Sequence, residues 1–514
     1  MTDDARIRAL LDEVVLPFVD DEAMVGLAVG VVHDGRLVAA RGFGHADLAT
    51  RRPVTPSTVF RIGSISKTFT GLAVAQLAGQ GLLRFDDPVT DHLRAFRWVQ
   101  PPGTRPATLR DLLTHTSGVG EVQRLRDLLD TDTLRLGVPE GTPVPALTEY
   151  YARGLRTDIA PGRKWVYGNH AMAALGQVVE DVSGVPFEDY ARAHVFAPLG
   201  LSGTDFVLQP AQRTHLATGY EVRRGRVRPV PWWDVVVRPA GSAFSSLEQM
   251  ALYAAALMNG GANEHGRVLP AAGLEDMFTP HWREHPALPG QGLAFLLDDY
   301  DGHRVVWHDG GWPAFTSSML VAPDARLAVL AFTNSGSGAV HAAAEQLLRR
   351  LLGLPALGPA AARRRAPASP HVWRDLVGVY APERGGTTNV RMAGLGFEVE
   401  VLVRGGHLVA RSPIGPLRSG VRLYAADPDD PLVFETVVPW RGAQQLLRAA
   451  FVPGADGRAA RLVGTFYLPY QLERRPAIRS ARRIAALAGL AGGSGALAAA
   501  WAGRSRGAVG PGAG

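Results

Sequence analysis

Two groups of alternating apolar residues lie far apart in this 514-residue chain, and they constrain the fold more than any other feature. The first, at residues 26–44, alternates on both sides of His33-Asp34-Gly35 and predicts a β-hairpin. The second, at residues 305–334, predicts further strands separated by Gly and Pro-Asp turns. Mixed helical and loop patterns lie between the two groups. A sheet that joins both groups around the intervening helices predicts an α+β domain.

Changes in composition divide the chain into four parts. The α+β part also contains predicted helices at residues 4–19 and 339–352, and it is followed by a Pro- and Ala-rich stretch typical of a linker. Short alternating stretches then predict a separate all-β domain, and a basic, Ala/Gly-rich tail ends the chain. The predicted boundaries are 1–352, 353–370, 371–476 and 477–514.

Composition excludes several classes of site and partner. The chain has no cysteine, which rules out disulfides, thiolate metal sites and a cysteine nucleophile. The formal charge of +6 is spread along the chain, so we expect a solvated surface and no nucleic-acid partner. The first 24 residues lack a basic region followed by an apolar core, which favours a cytoplasmic protein. Residues 484–502 approach the length of a membrane span but are mostly Ala and Gly, so a membrane anchor and a helical or disordered tail both stay open.

Lys67 is one of only two lysines in the chain, and the other 52 Lys and Arg positions are all arginine. An ammonium that leaves water can lose its proton and act as a base, whereas a guanidinium stays protonated. Ser64 and Lys67 are three residues apart at the beginning of a predicted helix, so they share a face beside backbone N–H groups that favour negative charge. This spacing suits Ser64 as nucleophile and Lys67 as its base. Alternatively, Ser64 caps the helix and Lys67 is a solvated charge.

Two further motifs supply partners for such a pair. Tyr167 and Asn169 stand just before a predicted helix at 171–182, where a hydroxyl can relay a proton and an amide can orient Lys67 and a substrate carbonyl. His308 stands at the predicted beginning of a strand and precedes Gly310 and Gly311, which permit close backbone approach. The backbone N–H groups of Ser64 and Gly311 are the predicted oxyanion donors.

These three motifs, with "LLTHTSG" at residues 112–118 between the first two, resemble the serine β-lactamase and penicillin-binding-protein-like family. The likeness is greater to its class C β-lactamase, D,D-carboxypeptidase, D-aminopeptidase and esterase branch, and it covers roughly residues 20–352. It implies an antiparallel sheet flanked by helices, with a helical subdomain. The all-β part is similar to the lipocalin-like barrel domains that follow some hydrolases of this family.

The resemblance implies a serine hydrolase that forms an acyl-serine intermediate and requires no metal or organic cofactor. Gly168 replaces the serine common in the middle motif, and His308 replaces a lysine that would grip a substrate carboxylate. We therefore expect small ester, amide or peptide substrates, in the manner of an esterase or a D-peptidase. The alternatives are a β-lactamase or D,D-carboxypeptidase, acyl transfer to another acceptor, and a catalytically silent binding protein. The sequence does not indicate the oligomeric state.

Several other residues match functional patterns for which we expect no catalytic role. The H-x-x-E-H pattern at residues 281–285 is confined between two prolines, and the G-x-S-x-G pattern at 503–507 lies in the tail. We expect a structural role for His115 and a loop carboxylate at Asp309. Lys164 is expected to be a surface charge, with a role at the cleft rim near Tyr167 left open. Trp232 and Trp233 are expected either to form the walls of an acyl pocket or to pack a loop.

Overall fold

The computed structural model describes residues 3–21, 24–123, 127, 136–223, 225–357, 369–383, 398–440, 443–466 and 468–476. Most of the predicted linker lies outside these ranges. The whole tail from residue 477 also lies outside them, together with its apolar stretch at 484–502 and the pattern at 503–507. In the part of the chain that the structure describes, no helix has the length and apolar character needed to span a membrane.

The helices of the described ranges include those predicted near residues 4–19, 171–182 and 339–352. In chain order, they are α1 (Asp3–Asp21), α2 (Ser66–Gly79), α3 (Val89–His92), α4 (Leu109–Leu113), α5 (Leu147–Tyr150), α6 (Asn169–Ser183), α7 (Phe187–Tyr190), α8 (Pro210–Arg213), α9 (Arg238–Gly241), α10 (Leu247–Met258), α11 (Ala271–Met277), α12 (Ala339–Leu351) and α13 (Trp373–Leu376).

The strands fall into two groups along the chain. Those before residue 340 are β1 (Gly26–His33), β2 (Arg36–Asp47), β3 (Arg52–Pro53), β4 (Val59–Arg61), β5 (Trp98–Val99), β6 (Gly137–Pro139), β7 (Leu155–Arg156), β8 (Tyr220–Arg223), β9 (Arg226–Pro229), β10 (Trp233–Val235), β11 (Phe244–Ser246), β12 (Leu296–Tyr300), β13 (His303–Trp312), β14 (Phe315–Ala322) and β15 (Leu327–Thr333). Those after it are β16 (Gly378–Ala381), β17 (Val399–Arg404), β18 (His407–Arg411), β19 (Val421–Arg422), β20 (Tyr424–Ala425), β21 (Val433–Trp440), β22 (Ala443–Pro453), β23 (Ala459–Phe466) and β24 (Leu468–Arg475).

The main sheet joins the two distant apolar groups, as the sequence predicts. Its strand order is β12-β13-β14-β15-β1-β2-β3, and its neighbouring strands are antiparallel. At the junction, Ala28 of β1 pairs with Phe332 of β15. This pairing places the hairpin β1-β2 beside strands that follow it by almost three hundred residues in the chain. The α+β prediction is confirmed.

Helices cover both faces of this sheet because both faces carry apolar side chains. On one face, α1 and α12 pack through residues such as Leu11 and Leu347, which are buried with Val29 and Val329 of the sheet. On the other face, α10 packs against β1 and β15 within a larger core that also contains α2 and α6. The helical subdomain therefore lies directly beside the sheet, and α2 is buried between them.

Nine strands of the described C-terminal part form a nearly closed, barrel-like sheet, as predicted. Their order is β19-β18-β17-β16-β24-β23-β22-β21-β20. The two edge strands, β19 and β20, are separated in the chain only by Leu423, so the edges of the sheet meet. The interior is apolar, with buried side chains such as Tyr380, Phe434 and Phe451. Closure of a sheet in this way satisfies its backbone edges and surrounds one core.

The barrel contacts the main sheet through a polar cluster around a cavity of about 100 Å³. Arg448 of β22 donates a hydrogen bond of 2.7 Å to Asp298 of β12, which crosses between the two parts. Glu345 of α12 lines the same cavity. Burial, reinforced by the Asp298 carboxylate, raises the pKa of Glu345 to about 7 against the opposing effect of Arg349 and Arg448.

We predict that Glu345 makes the folded protein less stable as the pH rises from about 4.5 to about 7. The unfolded chain releases the Glu345 proton near pH 4.5, whereas the folded chain holds it to about pH 7, so the folded state binds more protons in this window. Glu345→Gln removes this proton uptake. At pH 8 the variant should exceed the wild type in free energy of unfolding by on the order of 3 kcal/mol.

Urea unfolding of both proteins at pH 4 and pH 8 checks this prediction. The two proteins should be closely matched at pH 4, where the Glu345 carboxyl is neutral in both the folded and the unfolded state. An equal stability difference at both pH values would contradict the prediction.

Candidate active site

Ser64 lies on a short 3-10 turn, Gly63–Ile65, that leads directly into α2. Its side chain is partly exposed, whereas Lys67, one turn later, is 0% exposed. Lys67 Nζ lies 2.9 Å from Ser64 Oγ. The predicted spacing therefore places the two groups in hydrogen-bond contact, with the serine at the surface and the lysine beneath it.

Lys67 is held by oxygens from three separate segments. Besides Ser64 Oγ, its Nζ donates to Asn169 Oδ1 at 2.8 Å and to the carbonyl oxygen of Ala240 at 2.6 Å. Three acceptors match the three N–H donors of an ammonium, which allows a fully buried amine to remain hydrogen-bonded. The Tyr167 ring centre lies 4.7 Å from the same nitrogen. Serine, lysine, tyrosine and asparagine thus form one cluster.

The loop at residues 112–118 supports the Tyr167–Asn169 segment. His115 has a positive φ of 59°, and its backbone carbonyl accepts a hydrogen bond from Val166 N–H at 2.7 Å. Its Nδ1 accepts from Gly168 N–H at 3.3 Å, and its ring centre lies 4.7 Å from that of Tyr167. These contacts agree with the structural role predicted for His115.

Strand β13 brings Gly310 and Gly311 against the turn that carries Ser64. A side chain on Gly310 would lie closer than 3.0 Å to the carbonyl oxygen of Ile62 and to Ser317 Oγ. A Cβ on Gly63 would lie 2.6 Å from the nitrogen of Gly311. Ser317 Oγ also donates to Ile62 O at 2.8 Å. The backbone of the third motif therefore lies directly against the residues that precede the nucleophile.

His308 lies in the middle of β13 rather than at the beginning of a strand, which corrects the prediction. The strand begins earlier because His303 pairs with Tyr300 across a tight turn. Within the described chain, the ladder to β12 ends at Trp307, so residues 308–312 pair with β14 alone. His308 is buried, and its Nδ1 lies 2.6 Å from the carbonyl oxygen of Asp309, which assigns the proton to Nδ1.

Asp309 is a buried strand residue, so its prediction as a loop carboxylate is wrong. It accepts a hydrogen bond from Ser318 Oγ at 2.6 Å, and His341 Nδ1 lies 2.9 Å from its other oxygen. Side chains alternate between the two faces of a strand, so Asp309 points away from the face of His308.

Lys164 is buried, so its prediction as a surface charge is also wrong. Its Nζ lies 2.9 Å from Glu383 and 3.8 Å from Glu473, both in the C-terminal part. The sequence pattern near Lys164 contains no sign of these partners, because they follow it by more than two hundred residues. The segment that carries Tyr167 is therefore tied to the barrel by ion pairs.

The H-x-x-E-H pattern does not assemble a metal site. His281 Nε2 contacts Asp276, and His285 Nε2 lies 3.5 Å from Asp430, so the two imidazoles contact different carboxylates. Across the described ranges, no group of three His, Cys, Asp or Glu side chains is suited to hold a metal ion.

Two site features escaped sequence reasoning. The Ala240 carbonyl that binds Lys67 belongs to α9, and a backbone group has no signature in residue type. Arg61, three residues before Ser64, is 2% exposed although arginine is seldom buried. Trp232 and Trp233 line a cavity together with Arg61. The pairing of a strand arginine with distant tryptophans has no local signal either.

Comparisons with known proteins agree with the resemblance found in the sequence. A family model described as Beta-lactamase matches residues 11–354. Esterase EstB of Burkholderia gladioli is 32% identical over 65% of this chain and 92% of its own length. The putative penicillin-binding protein PbpX of Bacillus subtilis is 27% identical over 59% of this chain and 69% of its own. The D-aminopeptidase of Brucella anthropi is 27% identical over 64% of this chain and 60% of its own length.

A solved structure extends the likeness to nearly the whole fold. The octameric penicillin-binding protein homologue from Pyrococcus abyssi superposes with a TM-score of 0.60 at 22% identity, covering 90% of this chain and 99% of that one. At this identity the comparison concerns the fold alone. The superposed region is longer than the Beta-lactamase match, so it includes strands of the C-terminal barrel.

We predict that Gly310→Ala destabilises the protein strongly and that Gly311→Ala does not. A Cβ at Gly310 collides with backbone and side-chain oxygens, whereas a Cβ at Gly311 has no heavy atom within 4 Å. Overpacking of this kind costs about 1–3 kcal/mol. Thermal unfolding followed by circular dichroism checks the pair. Equal melting temperatures would show that β13 does not press against the Ser64 turn.

We also predict that Lys164→Met lowers the free energy of unfolding by about 1–3 kcal/mol, because it removes the charge-assisted contacts that the buried Lys164 ammonium makes with Glu383 and Glu473. Arg163→Met is the matched control, since Arg163 also contacts Glu383 at 2.7 Å but its side chain is 57% exposed. An exposed pair contributes about 0–1 kcal/mol. Urea unfolding followed by tryptophan fluorescence measures the free energy of unfolding of both variants. A larger loss of unfolding free energy in Arg163→Met than in Lys164→Met would contradict the prediction.

Proposed function

Because the chain belongs to the Beta-lactamase family, we propose that it is a serine hydrolase that acts on a small ester or amide through an acyl-serine intermediate. The observation that carries this proposal is the 2.9 Å contact between Ser64 Oγ and the buried Lys67 Nζ. A serine beside a positioned base is the arrangement that nucleophilic catalysis requires.

The partners of Lys67 explain how it serves as the base. In the neutral amine, two N–H groups donate to Asn169 and to the Ala240 carbonyl, which directs the nitrogen lone pair toward Ser64. The Ser64 hydroxyl then donates its proton to Nζ as its oxygen attacks the carbonyl carbon of the substrate. A new C–O bond forms, and the carbonyl π electrons move onto the carbonyl oxygen.

The oxyanion so formed is stabilised by the backbone N–H groups of Ser64 and Gly311. This assignment is supported by the close approach of β13 to the Gly63–Ile65 turn and by the exposure of Gly311. Collapse of the intermediate breaks the bond to the leaving alcohol or amine, which takes a proton from the Tyr167 hydroxyl, and Lys67 returns a proton to Tyr167. The role of Asn169 is to orient Lys67 and the substrate, and that of His308 is to line the cleft.

Water completes the reaction by attacking the acyl-serine carbonyl. One proton of the water passes through the same groups to Ser64 Oγ, which leaves as the ester bond breaks. The products are a carboxylic acid and the alcohol or amine, and the enzyme is regenerated. The net reaction adds one water across one ester or amide bond.

Two observations favour esters and D-peptide-like amides within this class. The third motif begins with His308, so the site has no lysine at the position that binds a carboxylate in related enzymes. The Nδ1–H of His308 is directed at a backbone carbonyl. The relatives named above include an esterase at 32% identity and a D-aminopeptidase at 27%. β-Lactam hydrolysis, D,D-carboxypeptidase activity and acyl transfer proceed through the same acyl-serine intermediate. These three activities are the next ones to screen.

We predict that a fluorophosphonate probe labels the wild type once and leaves Ser64→Ala unlabelled. Lys67→Arg should hydrolyse p-nitrophenyl butyrate about 10²- to 10⁴-fold more slowly, because a guanidinium does not accept the serine proton. Intact-protein mass spectrometry and absorbance at the p-nitrophenolate band give the two measurements.

Circular dichroism of each variant separates lost chemistry from lost folding. A folded wild type that neither labels nor hydrolyses the ester would overturn the proposal and favour a catalytically silent binding protein on this fold. Labelling of Ser64→Ala at another residue would assign the nucleophile elsewhere.

A further inference from the structure

Arg61 is a buried cation that the proposed reaction does not use. It ends β4, three residues before Ser64, and its Nη1 donates a hydrogen bond of 2.6 Å to the carbonyl oxygen of Trp233. Its guanidinium carbon lies 4.6 Å from the Trp232 ring centre and 5.2 Å from that of Trp312. Burial lowers the pKa of Arg61 to about 10, so the side chain remains charged at neutral pH.

This guanidinium has more donors than acceptors. Its Nε and Nη2 are buried and have no hydrogen-bond partner in the described part of the chain. Asp234 attracts the charge from a distance, but that carboxylate is engaged by Arg238 at 3.4 Å. Buried polar groups are normally hydrogen-bonded, and buried charges are normally paired, so two unpartnered donors on one buried cation are exceptional.

The cation lines a cavity of about 270 Å³, close to the lower size limit of ligand pockets. Its other walls include Arg213, Trp232, Trp233, Trp312 and Phe315. The chain links this cavity to the proposed reaction centre twice, because Arg61 precedes Ser64 by three residues and Trp312 directly follows Gly311. Three residues span at most about 11 Å, so a short acyl chain can connect a group bound in this cavity to the Ser64 oxygen.

We propose that this cavity binds a carboxylate carried by the acyl part of the substrate, a proposal that rests on the hydrolase function above. Arg61 and Arg213 give the cavity two positive charges that attract a carboxylate, and the unpartnered Nε–H and Nη2–H of Arg61 would pair with it once the side chain turns them toward the cavity. The indole rings cover the aliphatic or aromatic part that joins the carboxylate to the reacting carbonyl. The expected substrates are half-esters or half-amides of short dicarboxylic acids.

The cavity supplies positive charge at a different place from the lysine that the third motif lacks. A cation at that position would hold a carboxylate on the His308 side of Ser64. Arg61 and Trp312 instead place the charge recognition at the opposite end of the 308–312 segment. The enzyme would select an anionic acyl group and be indifferent to charge on the leaving group.

Two esters with the same acyl chain length test the proposal. Mono-p-nitrophenyl glutarate ends in a carboxylate, and p-nitrophenyl valerate ends in a methyl group. We expect kcat/KM of the wild type to be about ten- to hundredfold higher for the glutarate ester, the effect of one charge-assisted pair of hydrogen bonds. Arg61→Met should remove that ratio, whereas Arg228→Met, which removes an exposed positive charge on β9, should preserve it.

If Arg61→Met does not fold, the wild-type ratio of kcat/KM for the glutarate ester to that for the valerate ester decides the question alone. Trp233→Leu, at the partly exposed wall of the cavity, is a second variant in which this ratio should fall. A wild-type ratio of one or less would overturn the proposal. A preference that survives unchanged in folded Arg61→Met would also overturn it, since some other cation would then be responsible.

Direct binding separates failure of this proposal from failure of the hydrolase proposal. Monomethyl glutarate, added to Ser64→Ala, should quench tryptophan fluorescence, and the quenching should be lost in the Ser64→Ala, Arg61→Met double variant. Quenching without any ester turnover by the wild type would support the pocket and reject the hydrolase. Ester turnover without either quenching or glutarate preference would reject the pocket and retain the hydrolase.

Discussion

The buried amine of Lys67 is the constraint on which the rest of the structure depends. A buried amine needs hydrogen-bond partners in place of water, and here the oxygens come from the Ser64 turn, the beginning of α6 and the carbonyl of α9. These segments come together when α2, α6 and α9 pack against one another in one core. Correct folding and the chemistry proposed for the site therefore share one requirement, because displacing any of the three segments removes one of the acceptors of the buried nitrogen.

The local patterns of the chain predicted much of this architecture. Alternation at residues 26–44 identified the hairpin, helical spacing identified α2 and α6, and the order of three short motifs identified the family. Each of these signals is contained within a few turns of chain, where periodicity and side-chain chemistry act directly. The sequence also predicted that one sheet joins both apolar groups, whereas the pairing of Ala28 with Phe332 is known only from the structure.

The features that escaped sequence reasoning depend on partners distant in the chain. Lys164 looked like an ordinary surface charge because nothing near it indicates Glu383 or Glu473. The Ala240 carbonyl has no residue-type signature, and Arg61 became exceptional only once its tryptophan neighbours were seen. The same ion pairs join the barrel to the segment that carries Tyr167, so the C-terminal part contacts this segment without supplying a residue to the proposed chemistry.

Both lysines of this chain are buried, Lys67 at 0% and Lys164 at 6% exposure. Every other positive side chain is a guanidinium, which does not react with amine-directed reagents at neutral pH because it stays protonated. The part of the protein that the structure describes therefore presents no exposed lysine amine, and its surface nitrogen nucleophiles are imidazoles such as that of His265. If acyl groups are transferred at the proposed site, they meet no exposed lysine with which to form a stable amide.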